Sequence, residues 1–108
     1  MKNLTRKEEL IMLTIFNLKE KAYLISIVDR LSEVTGKKVS LTSVHLPLTR
    51  LEKRGMILGG LGEATAVRGG RRKKIYKITQ AGFEVLDEHK KISDLIWSNY
   101  IEYSTHKD

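Results

Sequence analysis

Apolar and polar residues alternate along the chain with changing periods, and each period predicts an element. Thr5-Arg6-Lys7-Glu8 has the form of a capping box, in which the Thr5 hydroxyl accepts from the Glu8 amide and the Glu8 carboxylate reaches back to the Thr5 amide. A helix is expected to start there. From Leu10 to Leu18 it carries Leu10, Ile11, Met12, Leu13, Ile15, Phe16 and Leu18, apolar nearly all round, as expected for a helix buried on more than one side. Lys19-Glu20-Lys21 is a polar connection. Leu24, Ile27, Val28 and Leu31 then follow the i, i+3, i+4, i+7 spacing of a one-faced second helix, which Gly36 ends because glycine takes the left-handed cap freely.

Lys37–Ser40 fits one short strand. Leu41, Val44, Leu48 and Leu51 mark the inward stripe of a third helix ending near Gly55, with Ser40 or Thr42 as its N-cap. Pro47 lies inside it, lacking an amide proton and crowding the preceding turn, so the helix is expected to kink there or to begin irregularly. Met56–Leu58 and Lys74–Thr79 read as the two strands of a hairpin, the second with Lys74, Tyr76 and Ile78 on one face and Ile75 and Lys77 on the other. Thr79 caps a last helix in which Phe83, Leu86, Ile92, Leu95, Ile96, Trp97, Tyr100 and Tyr103 recur at three-and-four spacing. The order helix, helix, short strand, helix, hairpin, helix is that of a winged helix-turn-helix, an α+β and mainly α fold. Residues 4–79 are expected to form that unit and residues 80–103 a C-terminal dimerisation helix.

Composition narrows the functional classes. The chain has 108 residues, enough for one compact domain and too few for a separate catalytic one. Twenty Lys and Arg against 13 Asp and Glu give a net charge of +7, which favours a polyanionic partner. Cysteine is absent, which excludes disulfides and thiolate chemistry and agrees with a reducing compartment. No stretch has the apolar length of a signal peptide or membrane span, so a cytoplasmic protein without membrane partners is expected. His45, His89 and His106 lie far apart with no ligand at metal spacing, and no phosphate-cradling loop or nucleophile motif appears. An enzyme is therefore not expected, and no cofactor is implied.

The cations are concentrated where a duplex reader needs them. With its apolar stripe inward, the third helix displays Thr42, Ser43, His45, Leu46, Thr49, Arg50 and Lys53, next to Ser40. Short polar side chains near a helix start reach base edges, and cations hold phosphates. Thr42, Ser43 and Leu46 are the expected base contacts, Leu46 against a thymine methyl; His45 and Arg50 are assigned to phosphate or the groove edge. The segment between the strands, Gly59–Lys73, holds five of the eight glycines, and Arg68, Arg71, Arg72, Lys73 and Lys74 place five cations within seven residues. Such a run repels itself unless an anion neutralises it, and its glycines let backbone approach a phosphate or enter a minor groove.

The last helix carries more apolar surface than a chain of this length covers alone. Ile92, Leu95, Ile96, Trp97, Tyr100 and Tyr103 are read as a homodimer interface with Ile11 and Ile15 of the first helix, which would place two reading helices on a near-palindromic site. Trp97 also offers stacking area for a flat aromatic effector between subunits.

At this point the chain resembles the PadR family of bacterial transcriptional regulators. The likeness runs from about Leu10 to Glu88 and rests on Tyr23 opening helix two, on the run Val39–Gly55 with Pro47 inside it, and on Gly70–Gly82. It implies a winged helix-turn-helix dimer, often a repressor, that reads double-stranded DNA through Tyr23 and the third helix. The C-terminal helix is then expected to pack on the partner's first helix, and drug-like or phenolic effectors bind between subunits in some members. A single C-terminal helix places the chain with the shorter subgroup. The family pattern has tyrosine where this chain has His45 and glycine where it has Ala22; the first departure falls on the position of the family's usual tyrosine contact to DNA, and whether His45 takes over that contact is left open by the sequence. The rival class is a winged-helix module for RNA or protein contacts.

Overall fold

The computed structural model describes residues 3–61 and 73–106, with side chains through Tyr100. Helix α1 spans Arg6–Leu18, α2 Leu24–Thr35, α3 Leu41–Lys53 and α4 Gln80–His106; strands β1, Ile57–Leu61, and β2, Lys74–Ile78, form an antiparallel hairpin. The helix starts follow local chemistry. The Thr5 hydroxyl accepts from the Glu8 amide at 3.1 Å and Glu8 Oε1 accepts from the Thr5 amide at 2.9 Å, the reciprocal pair that the sequence predicts. At the end of α2, Gly36 takes φ 69° and its amide donates to the Ser32 carbonyl. Ser40, not Thr42, is the N-cap of α3: its hydroxyl accepts from the Ser43 amide at 3.1 Å. Ser40→Ala is expected to cost about 1 kcal/mol of unfolding free energy, checked by urea titration.

Pro47 sits within α3 with its ring buried, and the helix continues through it. Its missing amide leaves the Ser43 carbonyl one turn back without the usual partner. The inner face of α3 is Val44, Leu48 and Leu51, all fully buried; Leu41, expected in that stripe, is half exposed because it lies at the helix mouth beyond the core. These residues close against Ile11, Met12 and Ile15 of α1 and Ile27, Val28 and Leu31 of α2, with Met56, Ile57, Tyr76 and Val85 completing the cluster.

Three local readings are corrected. Lys37–Ser40 forms no strand: the Val39 amide donates to Ser32 Oγ at 3.0 Å, and no strand runs beside it among the described residues. The segment that docks on the hairpin edge is Ala22 instead, whose carbonyl accepts from the Tyr76 amide at 3.0 Å. Strand β1 is shifted to Ile57–Leu61, pairing Ile57 with Ile78 and Leu61 with Lys74, and β2 stops at Ile78 because the Thr79 hydroxyl turns to the Gly55 carbonyl at 2.6 Å and caps α4. Ile11 and Ile15, expected at a dimer interface, are 0% and 2% exposed in the chain's own core and have no surface to offer a partner.

Among the described side chains, those of the first turns of α4 are the ones held by the domain. Val85 is buried and Leu86 partly so, and Phe83 stands edge-on to Phe16 at 5.9 Å. From Lys91 to Tyr100 the apolar side chains are open: Leu95 is 69% exposed, Ile96 63%, Trp97 54%. Trp97 packs edge-on against Tyr100 at 5.3 Å on the helix's own surface.

Candidate nucleic-acid interface

Tyr23 is the residue before α2 and offers no capping side chain. The leading amides of α2 therefore lack a side-chain acceptor, the arrangement that suits an anion at a helix start. Lys73, at the foot of the hairpin, places its ammonium 5.0 Å above the Tyr23 ring. His45 of α3 lines the same space. Together with Ser26, Lys74 and Tyr76 they line a groove of about 410 Å³, open to solvent. Three predicted contact residues from separate parts of the chain, Tyr23, His45 and Lys73, thus meet in one place. Ile25 and Ser26 belong to the same groove and escaped the sequence reading; the signal for them was the absence of a capping residue at position 23.

The exposed face of α3 is divided by what its side chains already bond. Thr42, His45 and Leu46 face outward, and neither Thr42 nor His45 has a side-chain hydrogen bond among the described residues. The Ser40 hydroxyl is engaged as the N-cap. Ser43 is half-buried and donates to the Ser40 carbonyl at 2.8 Å, and Thr49 donates to the His45 carbonyl at 3.1 Å. Those hydroxyls keep lone pairs for a ligand but must break an internal bond to donate. Arg50 and Lys53 are exposed; Arg68, Arg71 and Arg72 lie outside the described residues, as does the side chain of Tyr103.

Two carboxylates organise the cations around α3. Glu8, buried in the capping box, lies 3.5 Å from Arg54 and 4.0 Å from Arg50, whose side chain remains 60% exposed. Arg54 also donates to the Asn3 carbonyl at 2.7 Å, tying the N-terminal segment to the end of α3. At the helix's far side Glu52 accepts from Lys74 at 2.9 Å. That hydrogen bond holds the Glu52 carboxyl below the usual carboxylate range and the Lys74 ammonium above the usual lysine range. Both shifts favour the charged pair. Its contribution is lost as pH falls through the depressed Glu52 value and, at the other extreme, as pH rises through the elevated Lys74 value. Both partners are partly solvated, so the pair is worth about 0–1 kcal/mol in stability.

A second surface is apolar. Leu13 and Phe16 of α1, 42% and 52% exposed, form with Phe83 and Leu86 the floor of a groove of about 390 Å³, rimmed by Glu9, Asp87, Lys90 and Asp94. Another cavity of about 390 Å³ runs from Asn3–Arg6 to Ile92, Ile96 and Trp97, with His89 between; His89 Nε2 accepts from the Leu4 amide at 3.1 Å. Among the described residues no cluster of three or more metal-ligating side chains occurs, and no helix is long and apolar enough to cross a membrane.

No family model and no curated protein sequence matches the chain, whereas solved structures do. A PadR-like transcriptional regulator from Bacillus cereus superposes with a TM-score of 0.71 at 24% identity, covering 94% of this chain and 96% of that one. A PadR family regulator from Clostridium difficile gives 0.71 at 23% identity, with 92% and 98% covered. A PadR-like transcription factor from Bacteroides fragilis gives 0.63 at 28% identity, with 94% and 91% covered. The fold is that of the PadR-like regulators. Near-complete coverage on both sides means that the PadR-like architecture accounts for α4 as well as for the winged helix-turn-helix. The likeness read from the sequence therefore extends to the three-dimensional fold.

Proposed function

We propose that the chain is a PadR-like, sequence-specific regulator of transcription that binds double-stranded DNA as a homodimer and acts as a repressor in the cytoplasm. The observation that carries this reading is the groove that unites Tyr23, His45 and Lys73 beside the exposed face of α3. A phosphate seated there would meet the α2 amides, the Lys73 ammonium and the His45 ring at once, fixing the register of α3 on the duplex. Thr42 and Leu46 are then the side chains nearest base edges, with Ser43 behind them. Arg50 and Lys53 hold the flanking backbone, and Arg68, Arg71 and Arg72 extend the contact from the wing.

Pairing is supported by the two apolar surfaces. The open end of α4, with Leu95, Ile96, Trp97 and Tyr100, matches in character the groove floored by Leu13, Phe16, Phe83 and Leu86. Exchange of α4 between two copies would cover both surfaces symmetrically. On α1 the contact then falls on Leu13 and Phe16 in place of the buried Ile11 and Ile15. Two-fold pairing sets the reading helices about 34 Å apart, one duplex turn, and makes a near-palindromic operator the natural target. Trp97 near the pairing surface is the proposed place for a small aromatic effector.

Competition separates this from an RNA- or protein-binding module. Bound to a labelled duplex carrying its site, the protein is expected to resist unlabelled RNA and mixed-sequence duplex as KCl is raised, keeping about a thousandfold preference for the site. Equal displacement by RNA, or loss of all discrimination once salt has removed the phosphate contribution, contradicts it.

A further inference from the structure

Glu52 lies in the last turn of α3, and its carboxylate reaches both strands of the hairpin. Oε1 accepts from the Lys74 ammonium at 2.9 Å and Oε2 from the Gly59 amide at 3.3 Å. A side chain at position 59 would run into Lys74 Cε, so glycine there leaves the corridor through which the lysine crosses β1 to the carboxylate. The Lys74 ammonium also lies 5.4 Å from the Tyr76 ring, packed within β2. Lys73, the next residue back, stands with its ammonium over Tyr23 and lines the same groove as Lys74 and His45.

We propose that Glu52 is a positioning residue for DNA binding: by holding Lys74 and the Gly59 amide, it fixes the foot of the hairpin against the reading helix and sets Lys73 in the groove. The inference rests on the reading of that groove as the DNA interface. Glu52 is not itself a phosphate contact: both its oxygens are engaged by the hairpin, and a carboxylate presented to phosphate would repel it. Its effect on binding runs through Lys73.

Glu52→Gln tests this, because the amide oxygen still accepts from Gly59 while the ion pair to Lys74 is gone. The full chain, E52Q, K73A and E52Q/K73A are titrated against a fluorescent mixed-sequence duplex over a series of KCl concentrations, with thermal unfolding in parallel. E52Q and K73A are each expected to bind about three- to fivefold more weakly than the parent, with the slope of log K against log salt reduced by roughly one phosphate contact. The double variant should be no weaker than K73A alone, and the melting temperature of E52Q should stay within about 2 °C of the parent. Losses that multiply in the double variant would assign Glu52 a general structural role and overturn the inference. Parental affinity in E52Q beside a weakened K73A would remove Glu52 from the interface and leave the DNA reading standing. A parent protein that fails to bind the duplex would remove both.

Discussion

Leu95→Asp combined with Ile96→Asp is expected to give a folded protomer that no longer pairs and that binds its operator at least about a hundredfold more weakly at nanomolar protein. Both side chains are largely open to water in the single chain, 69% and 63% exposed, so two carboxylates there disturb nothing in the fold itself. In the proposed dimer the same positions would be covered, and burying two unpartnered charges costs several kcal/mol. Two linked half-site contacts gain affinity because the second forms within the complex already made, and a lone protomer forfeits that gain. Light scattering coupled to size exclusion reads the loss of pairing, circular dichroism the retained helices, and anisotropy the weaker binding. A variant that stays dimeric would move the interface elsewhere on the molecule.

Gly82→Ala is expected to destabilise the fold by about 2 kcal/mol, lowering the melting temperature by roughly 10 °C. Helix propensity alone predicts the opposite, since alanine in a helix is favoured over glycine by about 1 kcal/mol. Packing reverses the sign. A Cβ on Gly82 would overlap the Met56 carbonyl oxygen and crowd Ile78 Cγ2, and the same carbonyl accepts from the Thr79 amide at 3.1 Å. A backbone oxygen cannot swing aside as a lysine tail can, so the start of α4 must lift off the turn at Gly55–Met56. A melting temperature equal to or above the parent's would show that α4 does not seat there as described.

What the sequence reveals is local, and what it conceals depends on distance along the chain. Thr5 and Glu8, Gly36, and Ser40 with Ser43 each fix an element boundary within three or four residues, and their types announce it. Lys37–Ser40 misled because extended residues become a strand only beside a partner, and here Ala22 takes the hairpin edge. Periodicity also cannot say which apolar face of a helix meets its own chain. On α1, Ile11 and Ile15 are as apolar as Leu13 and Phe16, yet the first pair is buried in the protomer and the second is open. The groove was legible in parts, through Tyr23, His45 and Lys73, but their meeting is a tertiary fact. The Glu52–Lys74 bridge and the bonds from Arg54 to Asn3 and from Leu4 to His89 span 22, 51 and 85 residues, and no spacing rule reaches them.

Paired protomers that read duplex sequence through α3 should select their own site. Repeated selection of protein-bound molecules from a random-sequence duplex pool, followed by sequencing, tests it most directly. Enrichment of an inverted repeat is expected, its half-sites centred about ten base pairs apart, one turn of the duplex. A pool that remains random through successive rounds, with the protein bound to all of it equally, would contradict the claim.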